Sequence, residues 1–122
     1  MQSSRIIYFE IPAQDPKRCM EFYRQVFDWE FSALNKHTWL TRTGPDELPG
    51  INGSIRATSG NQGQVVNTLH VKSLAQTEVN VELYGGKIVL PKTVLPEIGW
   101  LLYFQDTEGN LHGALEPDAF AK

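Results

Sequence analysis

A chain of 122 residues with 41% apolar side chains is enough for one domain around one core. Its formal net charge of −3, with basic residues scattered rather than striped, gives no electrostatic case for binding nucleic acid. The lone Cys19 excludes an internal disulfide and fits a reducing compartment, and no apolar run approaches the roughly 20 residues of a bilayer span.

The opening MQSSR lacks the apolar segment of a secretory signal, so a cytoplasmic protein away from membranes is expected. Residues 5–11, RIIYFEI, carry β-branched and aromatic side chains up to Pro12 and predict a first strand. Ile7, Phe9 and Ile11 share one face of it, and Tyr8 and Glu10 share the other. Asp15 is a candidate N-cap and Pro16 suits a first helical position. Cys19, Phe22, Tyr23, Val26 and Phe27 follow at helical spacing, predicting an amphipathic helix over Pro16–Phe27. Strands are expected at 29–33, 37–43 and 50–56, with TGPDELPG as the turn before the last. The glycines and prolines of that turn are spaced as turn formers, with no following Lys-Ser/Thr or helix, so it is not a phosphate loop.

After a soft stretch, Ala57 to Gln64, the order recurs. VVNTLHV reads as a strand, and a helix opens at Ser73 and stops at Gly85-Gly86. Strands are expected at 87–94, 99–105 and 110–116. Both halves spell β-α-β-β-β, as a repeat of element order rather than of residue identity. The reading is an α+β protein made of module 1 (5–57) and module 2 (65–117) within a single domain, 1–122.

The stretches FEIPAQDPKRCMEFYRQVFDWEF, TGPDELPGINGS and YGGKIVLPKTVLPEIGWLLYFQDTEGN cover most of the chain. With their patterns DPxRxxxFYxxVFxW and F-x-D-x-x-G-N, they resemble the small glyoxalase-like branch of the vicinal oxygen chelate superfamily. That group contains glyoxalase I, extradiol dioxygenases and bleomycin-resistance proteins. The resemblance implies two βαβββ modules forming a partly open, curved barrel around a ligand cavity, often in a dimer. The usual Asp-Pro of the last turn is Asp106-Thr107 here.

In metal-dependent members of that group each module gives two ligands to a divalent ion, one from its first strand and one from its last. Counting back from Asp15 puts the first-strand position on Tyr8, and counting from Val71 puts its counterpart on Val66. The fourth-strand ligand is missing under any alignment, because no Asp or Glu lies between Glu47 and Glu78. The family register places the last carboxylate at Gly113, on one face with Leu111 and Leu115, so that His112, Ala114 and Glu116 point toward the helix layer or solvent. No metal is therefore expected at the inherited positions, and no cofactor is predicted. A displaced metal site built from Glu10 and His70 is the alternative.

Tyr8, Glu10, Thr68, His70 and Trp100 are the candidate ligand contacts. Glu10 and His70 are also candidates for a general base with its orienting partner, if they lie within hydrogen-bond reach. Each has a plain structural reading beside it: Glu10 as a turn cap or ion-pair partner, His70 as a satisfied buried residue, Trp100, like Trp39, as core filler. Cys19 has no His nearby in sequence and does not read as a nucleophile. The leading function is a metal-free module holding a small organic ligand. The competing one is a glyoxalase-type lyase or isomerase, or a dioxygenase-like enzyme, using a displaced metal or Glu10 and His70. A scaffold for protein interaction is a third reading with no feature of its own. A homodimer is expected, with Trp29, Phe31 and Phe120 forming an exposed apolar strip.

Overall fold

The computed structural model describes residues 4–59 and 63–122, so Gly60–Gln62 of the soft stretch lie outside the described residues. The chain divides into two compact units, Tyr8–Val66 and Met1–Ile7 with Asn67–Lys122. Among the described residues each carries four strands and one helix in the expected β-α-β-β-β order, in the α+β class.

The first unit is built on β1 (Ile6–Ala13), α1 (Pro16–Phe27), β2 (Glu30–Asn35), β3 (Thr38–Arg42) and β4 (Asn52–Ala57). Its strands lie in the order β2-β3-β4-β1, with β1 and β4 parallel and the other neighbours antiparallel. Helix α1 begins where its local signals put it. The Asp15 carboxylate accepts the Arg18 N–H at 3.2 Å, Pro16 opens the first turn, and Asp28 closes the helix in the left-handed region at φ 62°. One sheet face carries the core of Ala13, Met20 and Ile55, against which Ile11, Cys19, Tyr23, Phe31 and Trp39 pack. Strand β1 does not stop at Pro12, because Thr58 N–H donates to the Ala13 carbonyl at 2.9 Å and carries the pairing past it.

The second unit repeats the plan with β5 (Val66–His70), α2 (Leu74–Leu83), β6 (Lys87–Leu95), β7 (Gly99–Gln105) and β8 (Leu111–Pro117). The order is β6-β7-β8-β5, again with the first and last strands of the word parallel. Ser73 caps α2 by accepting the Gln76 N–H at 3.1 Å. The core here is Val71, Leu74, Leu102 and Ala114, with Leu69, Ile88, Trp100 and Phe104 packed on it.

The expected apolar strip does not form as such. Trp29 is half-buried, stacked on Tyr23 with ring centroids 4.6 Å apart, and Phe31 packs on the core, while Phe120 stands 87% exposed. Among the described residues no helix is long and apolar enough to cross a membrane.

Candidate functional site in the first unit

The polar face of the first unit follows from strand alternation and register. In the parallel β1–β4 pair Tyr8 stands beside Asn52 and Glu10 beside Ser54. In the antiparallel pairs Leu40 stands beside Ser54, Ser32 beside Leu40, and Glu30 beside Arg42. Register partners share a face, so Tyr8, Glu10, Asn52, Ser54, Leu40, Ser32, Glu30 and Arg42 lie opposite the α1 core. A cavity of about 380 Å³ opens here, with Tyr8, Ser32, Leu40, Arg42 and Asn52 among its lining residues.

Tyr8 is half-buried, and burial pushes its phenol above the ordinary tyrosine range; a hydrogen bond with Ser54 opposes the shift and the nearby Glu10 charge adds to it. Its hydroxyl is therefore neutral at physiological pH. Ser54 is only 2% exposed. Glu10 is held by Arg56, whose Nε lies 3.3 Å from Glu10 Oε2, with the carboxylate side chain 14% exposed and the arginine 41%. This pair fits the ion-pair reading of Glu10.

Of the other candidates, Thr68, His70 and Trp100 belong to the second unit. Leu69 packs on the core beneath α2, so alternation turns Thr68 and His70 to the other face of that sheet. His70 Nδ1 is buried with no hydrogen-bond partner among the described residues. Trp100 lies on the opposite face from Thr68. It packs on the core cluster, donates from Nε1 to Asp118 Oδ2 at 3.1 Å, and carries Lys92 Nζ 4.4 Å from its ring centroid. That placement is core filler rather than a wall of the open face.

His112 and Glu116 each have a neighbour on the helix side of the sheet, though His112 Nδ1, like His70 Nδ1, is buried with no hydrogen-bond partner among the described residues. His112 lies against Phe104, with ring centroids 5.7 Å apart, and Glu116 Oε1 accepts the Leu74 N–H at 2.7 Å, adding a carboxylate to the positive end of α2. Burial raises the Cys19 thiol, against a smaller opposing effect of Arg18, so it has no activated thiolate character.

No protein-family model matches the chain. It is similar to a glyoxylase-like domain-containing protein of Didymella fabae, 31% identical over 114 residues that cover 84% of this chain and 86% of the relative. The chain belongs to the glyoxalase-like branch of the vicinal oxygen chelate superfamily. Two solved structures show the same fold. The Mn(II)-bound glyoxalase from Novosphingobium aromaticivorans superposes with a TM-score of 0.71 at 20% identity over 98% of this chain, which spans 40% of that protein's length. The methylmalonyl-CoA epimerase from Mycobacterium tuberculosis gives a TM-score of 0.68 at 13% identity, over 93% of this chain and 87% of that one.

The divalent ion of metal-dependent members can be tested against the donors this glyoxalase-like chain offers. The repeat supplies the fourth position that counting along the sequence leaves open. Two residues past Val66, Thr68 pairs with Gly113, and two past Tyr8, Glu10 pairs with Ser54, so Ser54 corresponds to Gly113. The four positions then carry a neutral phenol, a buried hydroxyl, two methyl groups and no side chain. Space at the last is tight. A Cβ built on Gly113 would lie 3.0 Å from Thr68 Oγ1 and 3.3 Å from Tyr103 Cε1. Among the described residues no three His, Cys, Asp or Glu side chains gather in a group that could hold a metal. Neutral hydroxyls, methyl groups and a bare backbone are poor donors to a divalent cation.

Asn52, Ser54, Arg42 and Glu30 were not legible as site residues from the sequence. The signal was there in part, since positions 52, 54 and 56 alternate polar in NGSIR, but their pairing with β1 is a long-range fact.

Proposed function

We propose that this chain is a metal-free small-molecule-binding protein of the glyoxalase-like branch, holding an organic ligand in the cavity beside Tyr8. The observation that carries the reading is the donor set at the inherited positions, where Tyr8, Ser54, Val66 and Gly113 replace imidazole and carboxylate. The cavity volume, about 380 Å³, falls in the range of small-ligand sites. Engagement of Glu10 by Arg56 weighs against using that carboxylate as a free base. Association as a homodimer belongs to the same proposal, supported by the exposed side chains of Ile98 and Phe120.

A thermal-shift screen with small aromatic and carbonyl compounds, in buffer treated with chelator, tests it. A ligand present at about a hundred times its Kd stabilises by about 2.7 kcal/mol, a saturable rise of several degrees in Tm without turnover. No shift from any compound, or turnover that appears only on adding a divalent metal, refutes the reading.

A further inference from the structure

Tyr8 and Asn52 put two neutral donors side by side on neighbouring parallel strands, their backbones about 5 Å apart. The acceptor end of Asn52 is already used, since Oδ1 accepts from Thr43 N at 2.9 Å, while the Thr43 hydroxyl donates to the Ile51 carbonyl at 2.7 Å. With Oδ1 engaged, the two Nδ2 protons are what Asn52, a residue of the cavity lining, can offer a ligand. The buried Ser54 hydroxyl lies diagonally across the β1–β4 pair from Tyr8 and lowers its phenol against the larger effect of burial. With the Ser54 proton directed at the phenol oxygen, the Tyr8 proton is available to an acceptor in the cavity.

Charge on the same wall decides what that acceptor is. Arg42 stands in register with Glu30 and lies 3.6 Å from Asp46, so its positive charge is partly offset on this wall and attracts an anionic ligand less. Leu40, 39% exposed, adds an apolar surface.

We infer that the Tyr8 hydroxyl and the Asn52 amide donate together to one carbonyl oxygen of a neutral, largely apolar ligand, such as an aryl ketone. The inference rests on the metal-free binding function and names the class of compound that the cavity selects.

The test is titration of the whole chain with acetophenone, with ethylbenzene, which lacks the oxygen, and with benzoate, which carries a charge, followed by amide chemical shifts in NMR. Acetophenone is expected to perturb residues around Tyr8, Leu40 and Asn52 and to bind about fivefold or more tightly than either analogue. Tyr8→Phe is expected to weaken acetophenone about fivefold and leave ethylbenzene unchanged. Asn52→Asp keeps an acceptor for Thr43 while removing the donor, and is expected to do the same. Ethylbenzene or benzoate binding as tightly as acetophenone overturns the carbonyl assignment while leaving ligand binding intact. Failure of all three to perturb the cavity residues overturns the assignment outright.

Discussion

The Gly53→Ala variant is expected to melt about 10 °C below the parent chain, a loss on the order of 3 kcal/mol. Gly53 is buried and in register with Phe9 across the parallel β1–β4 pair. A Cβ at this position would run into the Phe9 carbonyl oxygen and come within 2.6 Å of its ring carbons. The backbone oxygen cannot move aside without parting the strands. Nor is the ring free to yield, since Phe9 is 9% exposed and lies 5.8 Å from the Trp29 ring. The same strand pair sets Tyr8 beside Asn52, so the substitution also disturbs the candidate site. Gly44→Ala is the control, because nothing lies within 4 Å of a Cβ there, and it is expected to change Tm little. Calorimetry of the two variants checks the contrast; equal melting temperatures would mean that close approach of β1 and β4 does not require glycine.

Restoring a carboxylate with Gly113→Glu is expected to destabilise the chain by about 3 kcal/mol or more at neutral pH and to confer no metal retention. The position is buried, its Cβ space is bounded by Thr68, Tyr103 and Leu101, and no cation stands among those three contacts to balance a charge. Such a carboxyl would have its folded pKa raised above the ordinary value of about 4.3. Its neutral form is the one the fold tolerates, so stability is greatest below that value and is lost as pH rises through the raised one. Denaturant unfolding at pH 5 and pH 8 reads this directly, with the larger deficit expected at pH 8. A variant as stable as the parent at pH 8 would show that the pocket still accommodates the carboxylate of its relatives.

Those two substitutions also mark where sequence reasoning reached and where it stopped. The bounds of helix α1 were legible, because its start is written locally in Asp15 and Pro16, but its face was so only in part: Cys19 and Tyr23 pack on the core with Met20, while Phe22, Val26 and Phe27 stay exposed. Tyr8 and Glu10 sharing a face needed only strand alternation, as did the outward turn of His112 and Glu116 from the Gly113 side. Trp100 was harder. GWLLYF is apolar on both faces, so alternation does not say which side is core, and the packing on the core cluster and the bond to Asp118 that decide it come from elsewhere in the chain. Asn52 and Ser54 escaped for a similar reason. In the sequence ING reads as turn chemistry, whereas in the fold Gly53 is the point of closest approach to β1, and its neighbours inherit their places from that pairing. Strand β1 passed Pro12 because a partner, Thr58, lies 46 residues on from it.

The central claim concerns electron-pair donors, and metal stoichiometry tests it most directly. Purified chain incubated with equimolar Mn, Ni or Zn, then desalted and analysed by inductively coupled plasma mass spectrometry, is expected to retain far less than one ion per chain. Retention of one ion per chain that is lost in Tyr8→Phe would contradict the account, because it would place a working ligand at a neutral, half-buried phenol.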